Sequence, residues 1–352
     1  MKALRQTLAA TFVLALSLVA ARAQAPTGGT QQFAQLGQCR LASGEAITDC
    51  RLGYRTWGKL NADNSNAILF PTWFTGNSGE LAESFSPNGL ADPARYFIIA
   101  VDALADGVSS SPSNSKSRPR MTFPAVTVQD MVSAEYRLAT ETLHLKHLHA
   151  VMGISMGGMQ TFEWLADYPS FFDVAIPIVG STRLTAYDLT LWHAEEDAIR
   201  ATPAWQQGSY AKSPAVPLTA ILHDINLTSP SRYNQLVPRD KFAAQYASYG
   251  TEGATDFDAN DRIYQLQAMI HHDIAHGGSL EDLAQHLVKI PHPRVLIVVS
   301  RQDHMVNPTP ALDFAPLIGA KTLVLDTPCG HLGPGCEAAT VNPAVRAFLD
   351  EK

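Results

Sequence analysis

The sequence predicts an α/β protein in which a mostly parallel sheet carries helices on both faces and is split by a helical insertion. Three observations lead there. Short apolar runs alternate with helical patterns along most of the chain. Those runs are largely apolar and β-rich, as strands of a mostly parallel sheet covered on both faces are. The strand signal then disappears over residues 182–291, a stretch that carries Trp192, Trp205 and many histidines. Apolar residues make up 46% and charged residues 17%, enough to core one large domain with an insertion.

In chain order, the first 23 residues read as an export signal. Lys2 and Arg5 precede an apolar run from Leu8 to Ala20, too short to span a bilayer comfortably, and Ala21-Arg22-Ala23 fits a cleavage site. Residues 24–35 read as a flexible leader, 36–181 as the first part of the core, 182–291 as the insertion and 292–352 as the second part. Strands are expected at 66–70, 96–101, 148–152, 174–179, 294–299 and 321–325, and helices at 128–143, 158–166 and 343–350. An insertion at the carboxyl edge of such a sheet is where a lid would sit. Lys116, Arg118 and Arg120 form a small basic cluster in a Ser/Pro-rich stretch that reads as a solvated loop.

Export places the chain in the periplasm or outside the cell, with no stable membrane insertion after cleavage. In an oxidising compartment the even set Cys39, Cys50, Cys329 and Cys336 favours disulfides, and it matches no zinc spacing. Three pairings are possible. The expected one is Cys39–Cys50, clamping a hairpin around Ser43 and Gly44, with Cys329–Cys336 closing a tight loop. The net charge of −7 argues against a nucleic-acid partner. His272 and His276 have the spacing of a helical metal pair, but no third ligand of known spacing accompanies them. They read as surface or interface histidines, with no metal and no cofactor.

The chemistry centres on Gly153-Ile154-Ser155-Met156-Gly157, which follows an apolar strand and opens a helix. A serine on such a turn has its hydroxyl exposed, and Gly153 and Gly157 leave room for the tight backbone. An acyl-transfer serine needs a base, a carboxylate to orient that base, and donors for the oxyanion. Asp303 and His331 each fall just past the end of an expected strand, in the order Ser, Asp, His of the α/β-hydrolase fold. Asp326 is a rival acid, set too close in sequence to His331. The oxyanion donors are expected to be the backbone N–H groups of Met156 and Phe74. Trp73, Phe74, Trp192 and Trp205 are candidates to line an apolar acyl pocket, and Arg200, Trp205 and Tyr210 to bind substrate from the insertion.

Several segments carry a family resemblance. They are Tyr54-Arg55-Thr56-Trp57-Gly58-Lys59-Leu60-Asn61, Phe123-Pro124-Ala125-Val126-Thr127-Val128-Gln129-Asp130-Met131-Val132, Ser155-Met156-Gly157-Gly158-Met159-Gln160 with Glu163-Trp164, and Phe257-Asp258-Ala259-Asn260. On these the chain resembles the homoserine O-acetyltransferase family over nearly all of the mature sequence. The resemblance implies an α/β-hydrolase fold, a Ser155–His331–Asp303 triad and a homodimer through the insertion. It breaks at the substrate. The family's Asp after the catalytic His is Leu332 here, the stretch 218–223 lacks the family's Arg, and the oxyanion turn has become Thr72-Trp73-Phe74-Thr75-Gly76. The resulting expectation is an exported carboxylic-ester hydrolase acting on a small-molecule acyl ester. The alternative is an O-acyltransferase whose acceptor alcohol is not homoserine.

Overall fold

The computed structural model describes residues 29–252 and 257–351. Eight strands form one sheet: β1 (Gln32–Arg40), β2 (Ala46–Trp57), β3 (Ala67–Pro71), β4 (Phe97–Val101), β5 (Leu148–Ile154), β6 (Phe172–Ile178), β7 (Arg294–Ser300) and β8 (Lys321–Leu325). Their order is β1-β2-β4-β3-β5-β6-β7-β8. β1 and β2 form an antiparallel hairpin, β2 runs antiparallel to β4, and every later pairing is parallel. The middle strands show why their sequences do not alternate: Ile68, Leu69 and Phe70 of β3 are fully buried, because both faces of the sheet are covered.

Helices α1 (Val128–Arg137) and α2 (Met156–Asp167) pack with the insertion on one face, where Met131, Phe162, Trp164 and Ile263 join one apolar core. On the other face α11 (Ala338–Asp350) contributes Val341, Val345 and Phe348 to a second core with Ile68, Phe70 and Ile98. Between β6 and β7 run α3 (Ala186–Ala201), α4 (Pro217–Leu227), α5 (Pro230–Leu236), α6 (Phe242–Glu252), α7 (Ala259–Ile270) and α8 (Leu280–Leu287). The short helices α9 (Thr309–Phe314) and α10 (Gly333–Cys336) complete the set. Thr127 with Asp130, and Thr185 with Asp188, form reciprocal capping boxes that set the starts of α1 and α3.

Four expectations need correction or placing. The segment 1–23 and the first residues of the 24–35 leader lie outside the described residues. The end of that leader is not a leader: Gln32 to Gln35 pair with Tyr54 to Arg51, and Ala34 is buried. An edge strand with so few inward side chains carries little apolar signal. The helix expected over 128–143 is α-helical only to Arg137 and continues as a π-helical turn, Leu138–Thr142. The terminal helix begins upstream of Pro343, since Val341 N–H already donates to Glu337 C=O at 2.9 Å and Pro343 lacks only its own donor.

The Ser/Pro stretch is solvated only in its second half. Ser109 and Ser111 are buried, and Ser109 Oγ donates to Asp102 C=O at 2.6 Å while accepting Gly53 N–H at 2.8 Å. Both disulfides, Cys39–Cys50 across the β1–β2 hairpin and Cys329–Cys336, are formed. Among the described residues, no helix is long and apolar enough to cross a membrane.

Candidate active site

The turn from β5 into α2 places Ser155 at φ 59°, ψ −120°, a conformation costly for a residue with a side chain. Packing around it holds that strain. A Cβ at Gly153 would lie 2.4 Å from Gly157 O, and one at Gly157 would lie 2.6 Å from Pro71 O. Neither backbone atom can yield, so both positions require glycine. The Ser155 N–H donates to Ile178 C=O at 2.9 Å, fixing the turn to the end of the neighbouring strand.

His331 arrives on the turn after β8, and Asp303 on the turn after β7. Ser155 Oγ–H donates to His331 Nε2 at 2.8 Å, and His331 Nδ1–H donates to Asp303 Oδ2 at 2.7 Å. Asp303 Oδ1 accepts the N–H groups of Met305 and Val306, each at 2.9 Å, so its carboxylate is oriented from both sides. Asp326, the rival acid, is exposed and takes no part. The Cys329–Cys336 bridge spans the His331 turn, and the insertion reaches the same turn through Ser229 N–H, which donates to Pro328 C=O at 3.0 Å.

The expected oxyanion donors border the serine. Phe74 lines the space beside Ser155, and Met156 follows the serine as the first residue of α2. Three residues without a role in the sequence reading hold this region. Gln160 Nε2 donates to both Thr72 C=O (3.0 Å) and Met156 C=O (3.1 Å), tying the turn after β3 to the nucleophile turn. From α7, Gln265 Oε1 accepts Thr75 N–H at 2.8 Å, and the Arg262 guanidinium lies 5.1 Å from the centre of the Phe74 ring.

Ser155 and His331 open into a cavity of about 300 Å³ lined by Trp73, Phe74, Thr75, Ile154, Trp192, His223, Leu227, Met305 and Leu332. Of the proposed aromatic lining, Trp73, Phe74 and Trp192 are present. Trp205 is not, and neither are Arg200 or Tyr210. Trp205 Nε1 donates to Asn260 Oδ1 at 2.8 Å, Arg200 pairs with Glu196 at 2.6 Å and lies over the Trp205 ring, and Tyr210 Oη donates to Asp258 Oδ1 at 2.6 Å. These three join the end of α3 to the start of α7.

The insertion reaches the cavity through Trp192 of α3 and through His223 and Leu227 of α4 instead. His223 Nδ1 lies 3.2 Å from Glu195 Oε1, and buried Glu195 also meets Arg262 at 3.4 Å. A wider cavity of about 540 Å³, lined in part by His147, His149, His292 and Arg294, includes neither Ser155 nor His331.

A model of the alpha/beta hydrolase fold family matches residues 66–334. A homoserine O-acetyltransferase of Caulobacter vibrioides is 32% identical over 292 residues, covering 72% of this chain and 76% of that one. The ethyl acetate hydrolase of Pseudomonas veronii is 38% identical over 190 residues, covering 53% of this chain and 54% of that one. Among solved structures, an acetylester hydrolase from Corynebacterium glutamicum superposes with a TM-score of 0.83 at 25% identity, covering 92% and 96% of the two chains. The chain therefore belongs to the alpha/beta hydrolase family, as an enzyme of the group that holds both esterases and homoserine O-acetyltransferases.

Proposed function

We propose that this enzyme is an ester hydrolase that works through an acyl-enzyme on Ser155. The observation that carries the reading is the Asp303–His331–Ser155 chain of hydrogen bonds, 2.7 and 2.8 Å long, at the wall of a small apolar cavity. Ser155 Oγ attacks the ester carbonyl while His331 Nε2 takes its proton. Asp303 keeps Nδ1–H directed away and stabilises the imidazolium that forms. The N–H groups of Phe74 and Met156 bind the oxyanion. His331 returns the proton to the departing alkoxide, and water delivered through the same imidazole hydrolyses the acyl-enzyme.

The cavity favours a short, uncharged acyl ester. Its lining contains no Arg, Lys, Asp or Glu, and Leu332, 46% exposed, stands on its wall. A zwitterion such as homoserine would enter with both charges uncompensated. The ethyl acetate hydrolase and acetylester hydrolase relatives act in the same sense. An O-acyltransferase reading keeps its support from the homoserine O-acetyltransferase relatives, with an uncharged alcohol as acceptor.

Turnover of p-nitrophenyl acetate by wild type and Ser155→Ala, with and without added alcohols, separates the two readings. Steady release in water, lost in Ser155→Ala and indifferent to alcohol, establishes the hydrolase. A burst that stalls until an alcohol is added establishes the transferase.

Export is part of the proposal, supported by the two disulfides. A mature chain whose N-terminal mass begins at Gln24 is the expected result, and an intact Met1 would oppose it. The exposed apolar side chains Leu218, Ile225, Leu236, Phe242 and Tyr246 on α4 to α6 support a homodimer through the insertion, which light scattering would read as twice the chain mass.

A further inference from the structure

A second cluster of ionisable side chains lies along α2, away from Ser155. The sequence spacing puts His272 and His276 on a helix face, but α7 ends at Ile270 and both histidines lie in the following turn, where His276 adopts φ 50° and Gly277 φ 81°. That left-handed backbone brings the His276 ring to α2. His276 Nε2 lies 2.5 Å from Glu163 Oε1 and 3.9 Å from Asp167 Oδ1. One ligand atom from each of Glu163, Asp167 and His276 falls within 4.8 Å of the others. The third ligand that local spacing could not supply comes from more than a hundred residues upstream.

His272 adds a fourth group. Its ring is buried, and its Nε2–H donates to Ser181 C=O at 2.8 Å. The neutral ring therefore has a lone pair on Nδ1, which faces Glu163 Oε2 at 3.7 Å and has no hydrogen-bond partner. A buried lone pair facing a buried carboxylate without a hydrogen bond is unfavourable. A cation held between the two removes the conflict. Among the described residues, Glu163 has no Lys or Arg in ion-pair contact, only these histidines.

We propose that Glu163, Asp167 and His276 form a binding site for a divalent transition metal, with His272 facing the Glu163 carboxylate from the buried side. Two carboxylates and an imidazole, with water in the fourth position, suit tetrahedral zinc, with ligand bonds of about 2.0–2.2 Å. The Glu163–His276 contact must open to about 3.3 Å to admit the ion. The His276 side chain, 40% exposed, has the freedom to move outward. The ion binds His276 Nε2 as the imidazole changes tautomer, its proton moving through solvent from Nε2 to Nδ1. Gln129, whose amide reaches His276 Nδ1 at 3.3 Å and Asp167 Oδ2 at 3.2 Å, turns so that its oxygen accepts the Nδ1–H. Such a site clamps the turn after α7 to the helix that begins beside Ser155.

The test is zinc titration of tag-free, chelator-treated protein by calorimetry, with cobalt(II) absorption as a probe of geometry. Wild type is expected to bind one equivalent and to give the intense visible bands of four-coordinate cobalt. His276→Ala and Asp167→Asn, which alter side chains at the surface, should each weaken zinc by at least about tenfold. His271→Ala, an exposed neighbour outside the cluster, should bind as wild type does. Equal affinity in wild type, His276→Ala and Asp167→Asn, or no stoichiometric binding by wild type, would overturn the proposal. Glu163→Gln is informative only if it folds, and the two surface variants decide the matter without it.

Discussion

Two carboxylate–imidazole pairs flank the nucleophile helix. At its start, Asp303 orients His331, whose second nitrogen meets Ser155 Oγ at 2.8 Å beside an open cavity. About two turns further along, Glu163 meets His276 and faces His272, and no hydroxyl follows. The carboxylates differ in their support. Asp303 accepts two backbone N–H groups on the oxygen that His331 leaves free. Among the described residues, Glu163 accepts none, and burial holds its carboxyl above the usual range and pushes His272 down to about 4. Pairing an acid with an imidazole is therefore not enough to make a base. The acid must be held by further donors, and the imidazole must present its other nitrogen to a nucleophile beside a cavity.

The largest effect expected from this contrast is at Ser155. Ser155→Ala should lower ester turnover by about 10⁶-fold in kcat, leaving only what the oxyanion donors and binding provide. A loss below tenfold in steady-state kinetics would mean that the nucleophile lies elsewhere. Next comes Asp303→Asn, which keeps an oxygen for the Met305 and Val306 N–H groups but no longer favours the productive tautomer of His331. Turnover should fall about 10⁴-fold with the far-UV spectrum unchanged. An equal loss from Asp326→Asn would break the assignment.

Gly153→Ala tests the turn itself. Its Cβ would meet Gly157 O at 2.4 Å, so overpacking should cost about 1–3 kcal/mol in urea unfolding and displace Ser155 enough to depress kcat. A further effect, on stability alone, concerns a third buried acid. Glu135 takes a bond from Trp164 Nε1–H at 2.7 Å, its other oxygen is unpartnered, and burial raises its carboxyl to about 8. Between its unfolded value of 4.5 and about pH 8, the folded state keeps this proton while the unfolded chain loses it, so stability falls as pH rises through that window and levels off above it. Glu135→Gln keeps the Trp164 bond and removes the titration. Unfolding free energies from urea titrations at pH 5 and pH 9 should therefore differ less in the variant than in wild type, by an amount on the order of a few kcal/mol. Identical pH slopes would show that Glu135 is already ionised in the folded state.

The parts of the molecule that were legible in the sequence are those with local causes. Ser155 sits in a contiguous motif, and Asp303 and His331 each follow a short β-rich run, Arg294–Ser300 and Lys321–Leu325. The parts that were not legible act across the chain. Gln265 reaches Thr75 from 190 residues away, and nothing near either residue signals the bond. Arg200, Trp205 and Tyr210 are expected at the substrate and lie elsewhere, because an aromatic or cation in a helical insertion does not declare which face it takes. In this fold they close the α3–α7 junction, while Trp192, His223 and Leu227 face the cavity. The β1 strand was partly hidden for a related reason: an edge strand with few inward side chains resembles a polar leader.

The most direct test of the acyl-enzyme account is covalent. Wild type and Ser155→Ala would be mixed with a p-nitrophenyl alkylphosphonate, digested and mapped by peptide mass spectrometry. The account predicts one phosphonyl adduct in wild type, on the peptide containing Ser155, formed with release of p-nitrophenolate and absent from the variant. Labelling at another residue, or equal labelling of Ser155→Ala, would contradict it.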